Sequence, residues 1–392
     1  MSAPPKTPLP DGLARTPEAW SEVVASWGEP GYRAKQIFGW LHARAVLDPA
    51  RMTNLGKALR ARVAEELGPL PEVEHVHQAA DDTKKLLLRL ADGSQVETVL
   101  LPVDKPAGKL DADAAAADDE DDDEPKSRGT RVTQCISTQV GCAMGCVFCA
   151  SGIAGLTRHM TASEILTQVL LAKAQLAEGE SLHHVVFMGM GEPLHNYEAT
   201  ATTLRLLTHP EGLGLSPRRL TVSTSGLVPE IDRLGQEFGG HVGLAISLHN
   251  ASDARRSALM PINDRYPLAS LMAALHRYPL PRGRRITIEY TLVRGQNDSP
   301  ADAHALAERL AGLRVKINLI PMNPIAHSEL GPPEPAEVEA FQQILRDRGY
   351  LCFVRRRRGD DVSAACGQLV MLGKEPNRRF RERQPKPEGG QP

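Results

Sequence analysis

Residues 130–152 read TRVTQCISTQVGCAMGCVFCASG, and the fold turns on how this stretch is parsed. The run from Thr130 to Ser137 is rich in β-branched side chains and reads as a strand. Directly after it comes a Gly-rich loop carrying Cys142, Cys146 and Cys149. The C-x3-C-x2-C spacing gathers three thiolates in one tight loop, which suits three irons of a cubane [4Fe–4S] cluster. The fourth iron then has no protein ligand and stays open to the amino and carboxylate groups of S-adenosylmethionine (SAM). One electron from the cluster would cleave that sulfonium to a 5′-deoxyadenosyl radical. The alternative is zinc, which usually takes four protein ligands with paired C-x2-C spacing. Six cysteines in 392 residues are too few for a disulfide scaffold, so the crowding of three of them favours a metal site.

A strand followed at once by a polar or Gly-rich motif recurs downstream. HHVVFMG leads into Gly189-Met190-Gly191-Glu192-Pro193, RRLTVSTS into Thr224-Ser225-Gly226, and VGLAISL into His249-Asn250. RITIEYTLV follows, and then VKINLIP, which leads into Met322-Asn323-Pro324. Amphipathic stretches near 161–178, 198–208, 228–237, 267–277 and 300–312 separate these runs, and a last one near 335–348 precedes YLCFVRR. The first of them opens on Thr161 with Glu164 three residues later, a capping box. Such alternation marks parallel βα units, and six of them fall short of the eight that close a TIM barrel. The expected fold class is therefore α/β, an open partial (βα)6 TIM-like barrel. Every motif then sits on one rim, at the C-terminal strand ends where such folds keep their chemistry.

Towards the N-terminus, residues 1–80 read as a small basic helical domain, with apolar residues at helical spacing in PEAWSEVVASWG, YRAKQIFGWLHARAV and TNLGKALRARVAEELG. Residues 81–103 read as a β-hairpin linker turning at Asp92-Gly93. Residues 104–129 hold Asp111, Asp113 and the run Asp118 to Glu124, and read as an acidic disordered insertion. The barrel is expected over 130–372 and a basic disordered tail over 373–392. The formal charge of −2 hides this partition: without the nine carboxylates between Asp111 and Glu124 it becomes +7. A basic body with Arg355 to Arg358 in a row suits a polyanion such as RNA, although a solvated charged face explains it as well. No apolar run reaches the ~18 residues of a membrane span, and the first twenty residues lack the apolar core of a signal peptide, so a cytoplasmic protein without a membrane partner is expected.

The combination SxQVGCxxxCxFC, GMGEPL, STSG, ISLH, IPMNP and RGDDVSAACGQL resembles the radical SAM superfamily and, within it, the adenine-C2 RNA methyltransferases of the RlmN type. GEPGYRAKQIFGWLH and MTNLGKALR resemble that family's helical accessory domain, thought to help engage RNA. The resemblance runs from about Gly28 to Leu372, interrupted by the acidic insertion, and implies the cluster on Cys142, Cys146 and Cys149. It assigns SAM contacts to Gly191, Glu192, Ser223, Ser247, Leu248, His249 and Asn323. It implies that one SAM methylates Cys366 and that a second supplies the radical that activates this methyl group for addition to C2 of adenine. Cys135 then takes the C2 proton and closes a transient disulfide with Cys366, and Glu97 aligns with a proposed proton acceptor. The implied substrates are 23S rRNA near the peptidyl-transferase centre and tRNA at the adenosine 3′ of the anticodon. The electron donor is unidentified, and a monomer is expected.

Each of these residues also has an ordinary reading. Ser223 is a strand hydroxyl, His249 a buried structural imidazole, Glu97 a solvated hairpin carboxylate, and Cys135, Cys366 and Cys352 small buried side chains. For Cys352 the core reading is preferred. Two rival functions stand beside the C2 methyltransferase: the sister group that methylates C8 of the same rRNA adenine, and a non-catalytic RNA-binding assembly factor stabilised by zinc.

Overall fold

The computed structural model describes residues 11–103, 129–325, 328–355, 358, 359, 362–365 and 367–369. The acidic insertion, the basic tail and Cys366 lie outside the described residues.

The N-terminal helices are α1 (Pro17–Ser26), α2 (Tyr32–Phe38) and α3 (Lys57–Leu67). Thr16 caps α1 by accepting from the Ala19 N–H, and Pro17 occupies the first turn, where its missing donor costs nothing. Trp20, Val24, Ile37, Phe38, Leu59 and Val63 face inward and are buried. Helix ends at Leu67, short of the expected 80. Glu72–Gln78 is instead a strand, β1, antiparallel to β2 (Lys84–Arg89), which returns through Asp92-Gly93 as β3 (Gln95–Val103). The expected hairpin is thus a three-stranded meander. β1 escaped the sequence because EVEHVHQ exposes nearly every side chain, so backbone pairing rather than an apolar face holds it.

β3 pairs antiparallel with β4 (Thr130–Cys135), and from there the sheet runs parallel through β7 (Glu180–Phe187), β8 (Leu220–Thr224), β9 (Gly243–Ser247), β10 (Ile286–Leu292) and β11 (Val315–Pro321). β5 (Gln139–Val140) and β6 (Arg158–His159) form a separate two-stranded ladder that brackets the cysteine loop. These are the six expected βα strands. A seventh parallel strand, β12 (Leu351–Val354), adds to β11 and ends the sheet. β1 and β12 stand at the two ends of the strand order, yet Thr133 of β4 and Phe353 of β12 line one cavity, so the seven parallel strands curl into an open partial barrel. β10, flanked by β9 and β11, has all seven residues buried, and each of its isoleucines contributes roughly 1.5–3 kcal/mol by leaving water.

The helices are α4 (Ala150–Ala154), α5 (Ala162–Lys173), α6 (Tyr197–Thr208), α7 (Val228–Phe238), α8 (Asp253–Leu259), α9 (Leu268–Arg277), α10 (Pro300–Arg309) and α11 (Pro335–Asp347). α5 starts on the expected capping box, with Thr161 Oγ1 accepting from Glu164 N–H and Glu164 Oε2 from Thr161 N–H. It is buried almost all round, because the N-terminal segment closes over its outer face: Ala14 N–H donates to Ser163 Oγ and Lys173 Nζ to the Ala43 carbonyl. Arg158 fastens the meander to the barrel, reaching Asp92 at 2.7 Å and Glu164 at 2.8 Å. Among the described residues no helix is long and apolar enough to cross a membrane.

Candidate functional site

One cavity opens at the C-terminal strand ends, and it is lined by Cys142, Cys146, Cys149, Gly191, Glu192, Ser223, Ser247, His249 and Asn323. The topology explains the gathering, since each residue stands at or just beyond the end of a parallel strand. Leu248 is the exception among the expected contacts. Its side chain is fully buried in the core, its N–H donates to the Glu289 carbonyl and its carbonyl accepts from Arg256 Nε, so it presents nothing to the cavity.

The cysteine loop is shaped by glycines. Gly141 has φ 79°, and a Cβ there would stand 1.9 Å from the Gly155 carbonyl oxygen, so no other residue fits. Val147 N–H donates to the Leu259 carbonyl, tying the loop to the end of α8. Ala150 N–H donates to the Gly367 carbonyl and Ser151 Oγ to that of Leu369, so residues on either side of the cavity mouth are laced together. Burial, and then the neighbouring thiols, push the Cys142 thiol well up, and burial raises Cys146 and Cys149 in the same direction. Thiolates in so dry a place call for positive charge, which iron supplies. Cys142, Cys146 and Cys149 bring three thiols to this cavity, whereas structural zinc usually takes four protein ligands. The thiols and their surroundings fit a cluster, which spreads its ligands over separate irons.

The wall opposite the cysteines is polar. Gly191 has φ 106°, and a Cβ on it would meet Gln139 Cβ at 2.6 Å. Glu192 is buried, which raises its pKa, while its Oε2 accepts from Ser225 N–H at 2.8 Å and Ser225 Oγ at 2.9 Å, and its Oε1 from Leu194 N–H. This carboxylate therefore joins the loop after β7 to the loop after β8. His249 adopts φ 55°, unusual without glycine, and its Nδ1 accepts from Thr291 N–H at 2.8 Å. That bond places the proton on Nε2, and burial, with Arg256 nearby, pulls the pKa down to about 3, so the ring is a neutral donor. Phe148 lies edge-on to it at 4.7 Å, so this aromatic packs on the cavity wall.

Two family models match the chain, the Radical SAM superfamily over residues 136–307 and the Ribosomal RNA large subunit methyltransferase N-terminal domain over 13–67. A dual-specificity RNA methyltransferase RlmN of Sorangium cellulosum is 65% identical over 383 residues, covering 95% of this chain and 98% of that protein. The chain belongs to the RlmN family. An RlmN of Anaeromyxobacter dehalogenans is 42% identical over 94% of this chain and 95% of its own length. A crystal structure of a radical SAM methyltransferase from Sphaerobacter thermophilus superposes with a TM-score of 0.82 at 44% identity, over 92% of this chain and 99% of that one.

For a chain of the RlmN family, the outlying residues fall into place unevenly. Cys135 ends β4 between Val99 and Val186, half-buried and outside the cavity lining. Glu97 is not a solvated hairpin carboxylate: it is buried on β3 and paired with Lys85 Nζ at 2.8 Å. Lys85 Nζ also reaches the Ser363 carbonyl at 3.4 Å. Gly367 and Leu369 line the cavity, while Cys366, which precedes Gly367 in sequence, is outside the described residues. No disulfide joins the described cysteines, and Cys352 is core, 1% exposed, with burial raising its thiol to about 12.

Sequence reasoning passed over Glu289, which lines this cavity and a second one deeper in the barrel. The signal was there, a single carboxylate inside the apolar run RITIEYTLV. Glu289 Oε1 accepts from Asn318 Nδ2 at 3.0 Å, Oε2 is buried with no hydrogen-bond partner among the described residues, and burial raises the pKa against the pull of Arg355. A carboxyl that is more basic in the fold than in the unfolded chain favours folding while protonated in both states. That contribution is lost as pH rises from the unfolded value of about 4.3 through the folded one. Glu289→Gln should therefore melt above the parent near pH 8 and lose that lead as pH falls below about 4. A lead of equal size at both values would show that ionisation of Glu289 is not its cause.

Proposed function

We propose that this chain methylates C2 of adenine in 23S rRNA near the peptidyl-transferase centre and in tRNA at the adenosine 3′ of the anticodon. The observation that carries the reading is one cavity in which three thiols meet residues from β7, β8, β9, β10 and β11 or the loops just after them. Cys142, Cys146 and Cys149 would hold the cluster. Bound there, the cluster and two SAM molecules per turnover supply a methyl group and the one-electron chemistry that activates it. Glu192 accepts from the SAM ammonium, and Gly191 lets the backbone approach closely. Ser223, Ser247 and Asn323 offer hydrogen bonds to ribose and adenine edges, and His249 turns its Nε2–H donor to the ligand.

An aromatic carbon between two ring nitrogens is electrophilic and does not attack SAM directly, so the chain carries the methyl group itself. Cys366 holds it as a thioether, through which enzyme and adenine become joined. Cys135 takes the C2 proton and releases the product by closing a disulfide with Cys366, which a reductant must reopen. Glu97, held by Lys85, is the candidate to receive that proton in turn. The N-terminal helices would engage RNA through exposed Lys57 and Arg62 and through Tyr32, which is 56% exposed with the Arg33 guanidinium 5.0 Å from its ring, a platform for an unstacked base.

The test is anaerobic reconstitution with iron, sulfide, SAM, a reductant and protein-free rRNA or tRNA, followed by mass spectrometry of the nucleosides. A brown protein with about four irons per chain and 2-methyladenosine in both RNAs is expected. 8-Methyladenosine would move the chain to the sister chemistry, and one colourless zinc per chain without methylation would favour the assembly factor.

Shortening Asp111 to Glu124 removes nine negative charges from a stretch with almost no apolar material. Activity and melting temperature should hold, while RNA binding tightens at low salt and converges on the parent as screening rises. Unchanged or weaker affinity at low ionic strength would refute a shielding role for the segment.

A further inference from the structure

Arg256 is fully buried on α8, yet no carboxylate pairs with it among the described residues. Its four hydrogen bonds go to neutral oxygens: Nε to the Leu248 carbonyl at 3.0 Å, Nη1 to Asn263 Oδ1 at 2.8 Å, and Nη2 to the carbonyls of Ser225 at 2.7 Å and Ser247 at 3.1 Å. A guanidinium in dry surroundings without a counter-ion is costly, and a fold retains one where something negative lies close. Cys146 and then Asp253, the latter exposed, are the acidic groups whose charge acts on it. Burial pulls the Arg256 pKa down only to about 10, so the cation persists at neutral pH.

Its position links it to the cysteines. One turn further along α8, the Leu259 carbonyl accepts from Val147 N–H, between Cys146 and Cys149. On the other side, Ser225 is the residue that grips Glu192. We propose that Arg256 is a positioning residue that raises the reduction potential of the bound cluster. The proposal rests on the cluster reading above. Three thiolates outweigh the positive charge of an oxidised cubane core, and reduction adds one more negative charge. A fixed cation in low dielectric stabilises the reduced state more than the oxidised one and so eases the electron transfer on which SAM cleavage depends. The same side chain holds the Ser225 and Ser247 ends of β8 and β9, so loss of its fork also loosens the SAM wall.

The experiment is an anaerobic redox titration of the full-length holoenzyme, followed by electron paramagnetic resonance, with iron content and SAM affinity measured alongside. Arg256→Gln should make the cluster at least tenfold harder to reduce, a shift of about 59 mV to lower potential for one electron. Arg256→Lys keeps the charge and cannot reach all four acceptors, so its potential should stay near the parent's while SAM binds more weakly. No shift in Arg256→Gln, or an equal shift in Arg256→Lys, overturns the proposal. If the glutamine variant takes up no iron, Asp253→Asn decides. That change removes negative charge beside Arg256, keeps an acceptor for Leu268 N–H, and should shift the potential slightly upward. An unchanged or lower value there overturns it. A parent chain without iron sinks the cluster reading and this proposal together, whereas a brown parent whose variants do not shift sinks this one alone.

Discussion

Cys142→Ala, Cys146→Ala and Cys149→Ala are each expected to leave the chain without a [4Fe–4S] cluster and without detectable methylation. Three ligands holding three irons have no spare, and the loop offers no substitute. Cys142 N–H is bonded to the Gly155 carbonyl, Cys149 N–H to that of Cys146, and Cys149 stands at the start of α4, so no neighbour can swing in. Removal of a buried thiol costs little packing, and the variants should stay folded. Iron per chain, visible absorbance and nucleoside analysis are the readouts, with Cys352→Ala as the control that keeps its iron, because Cys352 is enclosed against α11 and β11. Normal iron content and activity in any of the three ligand variants would refute the cluster assignment.

Much of this was legible because the sequence signals and the packing agree. The six βα strands each carry a β-branched run, five of them followed by a motif, and amphipathic stretches separate them, so local pattern and tertiary burial select the same elements. β1 was missed for the opposite reason, since EVEHVHQ has no buried face for a pattern to record. β12 was seen only as an apolar run, being four residues long at the end of the sheet. In the site, the cysteines and glycines were legible because spacing and backbone geometry restrict them. Leu248 stands apart from its neighbours because adjacent residues at a strand end face opposite ways: Ser247 and His249 line the cavity, and the side chain between them enters the core. Arg256 was illegible, since nothing in SDARRSALM separates it from exposed Arg255 one position before. Its burial depends on carbonyls from two strands that no local signal brings together.

The two outlying thiols have sequential roles in the proposed reaction, and sequence of action can be separated by mutation. Cys366→Ala removes the carrier of the methyl group, so nothing joins the enzyme to adenine and product formation should fall to zero. Cys135→Ala acts later. β3 and β7 hold the Cys135 backbone on both sides, with the Thr98 hydroxyl donating to its carbonyl, so loss of the thiol leaves the strand intact. Methyl loading and addition to the adenine can then proceed, but the group that takes the C2 proton and resolves the thioether is gone. The enzyme should stall covalently joined to its RNA. On a denaturing gel with labelled RNA, Cys135→Ala should give a slow, protease-sensitive band that vanishes in the Cys135→Ala/Cys366→Ala double variant. Normal turnover by Cys135→Ala would remove that thiol from the reaction. Persistence of the band in the double variant would place the covalent link elsewhere than Cys366. Glu97→Gln tests the relay behind Cys135, for it breaks the charge pairing with Lys85 and should slow release without abolishing the adduct.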